Sequence, residues 1–296
     1  MLEEFKAQGI EMNEGANKLT AWLEKLEANA DSTIVKPGDA SMAAPFTARE
    51  PSVSPVCDIV RQGRSTLVTT LQMFKILGLM SLTTAYSLSI LYLEGIKLGD
   101  FQATATGLLS AALFFMLSAS KPMRTLSSAR PHSKVFCKYI FLSIVGQFCV
   151  HVGFLITVYN ISAAETPKEQ RLKPDSDFSP NIVNSACFLC SFALQTTTFA
   201  VNYIGHPFNI SIFEHKMLLY TLLASSGIFF VLAAEASPPL NESVELVSLP
   251  QWLRVKLVAG AVADFLLSFS IERTARALFP AATPLSKEEE ARKLVP

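Results

Sequence analysis

Charge is scarce in this 296-residue chain: Asp, Glu, Lys and Arg together make up 17% of it, where a soluble domain carries about a quarter. The 25 basic and 25 acidic residues cancel, so there is no global field to attract nucleic acid. Five scattered cysteines offer no even, regularly spaced framework, which excludes a disulfide scaffold. Neither HExxH, GxSxG, GxGxxG nor a Walker-type GxxxxGK[ST] occurs, and no spacing supplies a nucleophile with its base. The first 25 residues hold Glu3, Glu4, Glu11, Glu14 and Glu24, the reverse of the basic start of a secretory signal.

What the chain has instead is long apolar runs. A helix needs about 20 predominantly apolar residues to cross a bilayer core. Uncharged stretches of 18, 20, 26, 36 and 18 residues separate Lys75 from Glu94, Asp100 from Lys121, Lys138 from Glu165, Asp177 from Glu214 and Lys216 from Glu235. The fourth reads as helix over 181–204, up to the Gly205-His206-Pro207 break. A sixth run, Leu257–Ile271, is interrupted by Asp264, with Trp252 and Phe279 placed to anchor its ends. The expected fold is an all-α membrane protein with six transmembrane helices, near 66–93, 101–120, 138–160, 181–204, 217–235 and 254–272.

An even number of spans puts both termini on one side. Ten Lys and Arg flank the spans on that side, among them Lys121, Arg124, Arg130, Lys134 and Lys138, against six on the other, which predicts cytosolic termini. Of the glycosylation sequons at Asn160, Asn209 and Asn241, the second falls on the cytosolic side and is expected to stay unmodified.

Residues 1–31 alternate charge with large apolar side chains, a soluble helical pattern without the means to bury a core of its own. From Asp31 to Pro55 the chain is rich in Ser, Ala and Pro, with a turn signal at Pro37-Gly38-Asp39. The organisation expected is a soluble edge over 1–60, a membrane domain over 61–279 and a cytosolic tail over 280–296.

Polar groups inside spans are costly and tend to face the bundle interior. Lys75, one turn after Gln72, either snorkels to the interface or stands inside as a cation that positions the helix or lines a cavity. Gln147 and His151 share a face of the third span, and Gln195 and Asn202 share one on the fourth, beside Thr196, Thr197 and Thr198. Asp264 either pairs with a cation from another helix or marks a shallow one. The candidate interior polar lining is therefore Gln72, Lys75, Gln147, His151, Gln195, Asn202 and Asp264. Cys187 and Cys190 form a CxxC, but within an apolar helix they lack the further ligands a metal needs, and no metal, catalytic or cofactor-binding residue is assigned.

The stretches GDASMAAPFTA (38–48), QGRSTLVTTLQMFKILGL (62–79), LYLEGIKLGDFQAT (91–104), SKPMRTLSSARP (120–131), GQFCVH (146–151) and NIVNSACFLCSFALQTTTFAVNYIGHPFN (181–209) resemble the type V-A P-type ATPases of the endoplasmic reticulum. The resemblance implies that residues 1–60 end a phosphorylation domain and that the six spans correspond to helices five to ten of a ten-helix enzyme. It also implies an ATP-driven dislocase that extracts misinserted transmembrane helices, from a family whose older descriptions are cation or manganese transporters. ATP and Mg²⁺ would serve the full-length enzyme. The partners implied are the bilayer, client transmembrane helices and the missing N-terminal part of the ATPase.

The family's DKTGT, nucleotide-binding domain, GDGxND and PPELPM are absent, so this C-terminal portion alone is expected to be inactive. A different class, a free-standing six-helix membrane scaffold or passive carrier, would be expected to show a self-contained soluble edge and often an internal three-helix repeat. Neither is seen.

Overall fold

Seven helices make up the described secondary structure of the computed structural model, which describes Ala21, Thr47 and residues 52–93, 95–132, 134–165 and 178–280. They are α1 (Ser54–Leu93), α2 (Asp100–Ser118), α3 (Lys138–Glu165), α4 (Ile182–Asn202), α5 (Lys216–Ala234), the single turn and a half of α6 (Pro238–Ser243), and α7 (Gln251–Leu278). The helical pattern over 1–31 apart from Ala21, the turn at Pro37-Gly38-Asp39 and the tail beyond residue 280 lie outside the described residues. The chain divides into two units, residues 1–59 and 60–296. The second unit holds α2 to α7 and all of α1 beyond Ile59.

Helix boundaries follow local chemistry. Pro55 sits in the first turn of α1, where its missing N–H costs nothing. Beyond Leu93, Gly95 takes a left-handed φ of 70°, and the N–H of Ile96 reaches back to the Leu91 carbonyl, which stops the helix. Asn181 caps α4 by accepting the Asn184 N–H at 2.7 Å. The expected break at Gly205-His206-Pro207 follows directly, with α4 ending at Asn202. Glu235 closes α5 in the left-handed region (φ 55°), and its carboxylate hooks the Leu249 N–H at 2.7 Å, tying the end of α5 to the start of α7.

Five of these helices (α1 to α5) are long and apolar enough to cross a membrane. The expected sixth span corresponds to α7, which is 28 residues of unbroken helix but carries Arg254, Lys256, Asp264, Glu272, Arg273 and Arg276. The first helix is longer than expected. It begins at Ser54 rather than near 66 and runs through Arg61-Gln62-Gly63-Arg64 for 40 residues, about 60 Å at 1.5 Å per residue.

The helix α4 occupies the middle. In its apolar window 89% of residues are buried, against 17% in α2 and 33% in α3 and α5. Its sequence explains the position: Ser, Thr, Cys and Ala admit close neighbours on every side, while Asn184, Gln195 and Asn202 need partners all round. Around it α3 and α7 pack together most closely, with α5 and α2 on the other flank. Gly146 and Gly260 make the α3–α7 approach possible, since a Cβ on Gly146 would come within 2.8 Å of Ile271 and one on Gly260 would run into Phe154.

The exterior is the reverse of a soluble protein's. Leu108, Phe115, Phe141 and Leu223 stand largely exposed, while Gln102, Gln147, Asn184 and Asn202 are fully buried. Large apolar side chains facing outward cost nothing in lipid, where an unpartnered polar group would cost several kcal/mol.

Candidate functional site

Many of the buried polar groups gather into one seam along the α3–α4–α7 contact. At the seam's end nearest the α2–α3 connection, Glu272 of α7 is the hub. It accepts from Lys75 of α1 and from Tyr139 and Ser143 of α3, and it receives the Arg276 Nε–H at 2.7 Å one turn along its own helix. Lys75 lies 4.8 Å from the Tyr139 ring centroid, so its ammonium is held by charge and by the aromatic face together. Gln147 continues the seam, donating to Ser143 Oγ at 2.8 Å and exchanging a reciprocal amide pair with Asn202 of α4 at 3.0 and 2.8 Å.

One turn further in, His151 Nδ1 lies 2.7 Å from Asp264 Oδ1, and His151 Nε2 lies 3.4 Å from Thr198 Oγ1. The helical repeat builds this seam: Gln147 and His151 on α3, Thr198 and Asn202 on α4, and Asp264, Ser268 and Glu272 on α7 are each spaced by four residues. Asp264 Oδ2 and Ser268 Oγ are buried and have no partner among the described residues.

All seven sequence-expected residues are buried, with Gln195 the most exposed at 7%. Lys75 does not snorkel: its side chain is 1% exposed and ion-paired across the bundle. Asp264 is buried and meets the His151 ring of α3, with Oδ1 2.7 Å from Nδ1. Gln147, Asn202, His151 and Asp264 answer one another. Gln195 stands apart, donating to Ser110 Oγ and to the Thr106 carbonyl of α2 at 3.1 Å, where it lines a small cleft of about 70 Å³ with Thr106 and Ser191. Gln72 accepts the Ile204 N–H at 2.7 Å, satisfying a backbone donor just past the end of α4.

Sequence reasoning missed Glu272, Tyr139, Ser143 and Arg276. The sixth apolar run stopped at Ile271, one residue short of the hub. The available signal was periodic, since Glu272 lies eight residues after Asp264 and four before Arg276 on one helical face.

A second polar cluster ties the opposite end. Gln102 at the start of α2 donates to Asn184 Oδ1 at 2.9 Å and to the Val244 carbonyl at 3.2 Å, and Asn184 donates to the Lys97 carbonyl at 2.9 Å. Among the described residues no three His, Cys, Asp or Glu side chains gather to hold a metal ion, and Cys187 and Cys190 lie free and buried.

A groove of about 270 Å³ opens between α4, α5 and α7, with Thr196 and Thr197 against Phe229, Phe230 and Phe265. The basic connection between α2 and α3 is fastened to the α1 stem: Arg61 donates to the Arg124 carbonyl at 2.7 Å and Arg64 to the Ala129 carbonyl at 3.2 Å. In the 203–215 turn, the backbone N–H of Ser211 holds the exposed Glu214 carboxyl below its usual range, helped by the Ser211 side chain and nearby His206.

An apolar exterior, an interior of mutually satisfied polar groups and five span-length helices define an α-helical, multi-pass membrane domain. No family model matches the chain. Among curated proteins, it is 55% identical over 83% of its length to the probable manganese-transporting ATPase PDR2 of Arabidopsis thaliana. It is 40% identical over 89% of its length to the endoplasmic reticulum transmembrane helix translocase spfA of Aspergillus fumigatus, and 39% identical over 92% to the endoplasmic reticulum transmembrane helix translocase of Saccharomyces cerevisiae. The chain spans about a fifth of these relatives, covering 21%, 20% and 22% of their lengths. It is thus a membrane-domain relative of the type V-A P-type ATPases, matching one stretch of them.

Proposed function

We propose that this chain is the C-terminal membrane portion of an ATP-driven P-type ATPase that dislocates transmembrane helices from the endoplasmic reticulum membrane. In this reading α7 is the sixth span, both termini are cytosolic, and the six spans correspond to helices five to ten of the full enzyme. Residues 1–60 end its phosphorylation domain, 61–279 form the membrane domain and 280–296 a cytosolic tail. The observation that carries the reading is the 37–40% identity, over 89–94% of this chain, to three proteins named as transmembrane helix translocases.

ATP and Mg²⁺ would be held by the longer enzyme outside this chain, and the fragment alone would not hydrolyse ATP. The unbroken α1 helix supports a mechanical role, because a stiff rod continuous through Arg61–Arg64 can carry a displacement of its outer end into the bundle. The interior polar residues Gln72, Lys75, Gln147, His151, Gln195, Asn202 and Asp264 would hold the helices in register while the bundle rearranges. A client helix would lie along a lipid-facing groove where threonine hydroxyls meet its exposed backbone and polar groups.

The test is an immunoblot of endoplasmic reticulum membranes with an antibody raised against residues 160–180. The expected band is roughly five times 32.3 kDa, as a stretch of about a fifth of the relatives implies. Phosphoenzyme formation and client extraction by that long form should follow. A band at 32.3 kDa alone would sink the enzyme reading for this product and favour the alternative, a free-standing six-helix scaffold or passive carrier.

A further inference from the structure

The end of the bundle that carries the basic α2–α3 connection contains a cavity of about 140 Å³, walled in part by Lys75, Tyr139 and Arg276 of the ion-pair seam. Its polar lining includes three nitrogen donors: the Gln72 amide, the Lys75 ammonium and the Arg276 guanidinium. Gln72 is fully buried, and its amide orientation is fixed, because the Ile204 N–H must meet an acceptor and so takes Oε1. The other end of that amide, Nε2, is left with no partner among the described residues. Lys75 and Arg276 also face the cavity, as do the rings of His132 and His206.

The charge balance at the site is positive, with the two cations Lys75 and Arg276 sharing the single carboxylate of Glu272, which does not line the cavity. The connection above it carries Lys121, Arg124, Arg130, Lys134 and Lys138 and no acid. The nearest carboxylate in the adjoining turn, Glu214, is exposed and lies 3.7 Å from His206. The rest of the wall is apolar, including Val68, Leu71, Ile140, Phe208 and Phe279.

A buried donor without an acceptor, beside an excess cation, is satisfied by an acceptor-rich anion. An apolar wall around it suits an anion that carries a hydrocarbon neighbour. We propose that this cavity is a binding site for a phosphate group, with Gln72 Nε2, Lys75 and Arg276 as the donors and His132 and His206 at its rim. The volume admits a tetrahedral phosphate, a space of a few water molecules. Two sources share this chemistry: the headgroup of an acidic phospholipid in the adjoining leaflet and a free phosphate from solution.

The experiment uses the full chain in neutral detergent micelles, titrated with dioctanoyl phosphatidic acid, with dioctanoylglycerol as the phosphate-free control and inorganic phosphate as competitor. Thermal melting and native mass spectrometry read binding. Phosphatidic acid is expected to bind and raise the melting temperature, and dioctanoylglycerol is not. Gln72→Glu keeps the acceptor for the Ile204 N–H and replaces the free donor with a negative acceptor, so affinity should fall at least about tenfold. His132→Ala, at the half-buried rim and outside the ion-pair seam, should give a smaller loss. It carries the test if the buried Gln72→Glu charge prevents folding. Competition by inorganic phosphate would make free phosphate a ligand as well, and its failure to compete would assign the site to lipid headgroups. Equal binding of dioctanoylglycerol, or unchanged affinity in the variants that fold, would overturn the proposal.

Discussion

His151 Nδ1 of α3 lies 2.7 Å from Asp264 Oδ1 of α7, with side-chain exposures of 0% and 1%. The pair joins the two helices that pack most closely, at a depth where water is unavailable to replace either partner. Removing one partner strands the other. His151→Leu or Asp264→Leu should each cost about 3 kcal/mol, and the double variant should cost clearly less than their sum. Thermal unfolding of the four proteins in detergent gives the coupling energy, and strict additivity would rule out a working pair.

The Glu272 hub predicts an asymmetry. Lys75→Met leaves Glu272 with Arg276, Tyr139 and Ser143, whereas Glu272→Gln leaves two cations facing each other without a carboxylate. Glu272→Gln is therefore expected to be the more destabilising, by about 1–2 kcal/mol. The same unfolding measurement decides it, and equal losses would mean that Lys75 is the hub's only important partner.

The glycines of α3 and α7 are expected to separate by position. Gly146→Ala and Gly260→Ala push a methyl into Ile271 and Phe154 and should cost about 1–3 kcal/mol, with loss of α3–α7 packing. Gly153→Ala, whose added methyl meets nothing within 4 Å, should be neutral or stabilising by up to about 1 kcal/mol through helix propensity. Parallel melting curves and gel filtration report both effects.

Topology can be read from glycan transfer. Asn209 is fully buried, accepts from Ser65 Oγ at 2.6 Å and should stay unmodified in membranes. An engineered acceptor in the connection between α3 and α4, Gln170→Asn with Leu172→Thr, should be glycosylated if the termini are cytosolic. The expected result is an endoglycosidase-sensitive shift of that variant beyond any shown by the unmodified protein, whose Asn241 sequon falls on the same side. A shift of unmodified protein that disappears with Asn209→Gln would invert the assignment.

The 203–215 turn should respond to acid. Because the folded carboxyl of Glu214 titrates below its usual value, its contribution is complete above about pH 4.3 and is lost as pH falls through the folded value. Protection of the Ser211 amide, taken relative to its intrinsic exchange rate at each pH, should therefore fall as the carboxylate is protonated, and Glu214→Gln should flatten that dependence while starting from lower protection.

The motifs made the family resemblance legible, and the relatives bear it out over most of the chain at a fifth of their own length. Charge-to-charge run lengths likewise exposed five span-length helices, because lipid imposes a minimum apolar length whatever the partners. The sixth helix was harder to read, since α7 mixes apolar residues facing outward with Asp264, Ser268 and Glu272 facing the bundle.

Local sequence, then, determined where helices form and stop: Asn181 at one end of α4, Gly205-His206-Pro207 beyond the other, and the burial of Gln147, His151 and Asp264 on polar faces. Those outcomes depend on residues within a turn or two, or on the cost of a polar group in hydrocarbon. Which polar groups meet depended on assembly. Lys75 and Glu272 are 197 residues apart, and His151 and Asp264 113 apart, so no periodicity along one helix could pair them. The pairing was settled by packing around α4, where small side chains let α3 and α7 approach closely enough for their polar faces to close on each other.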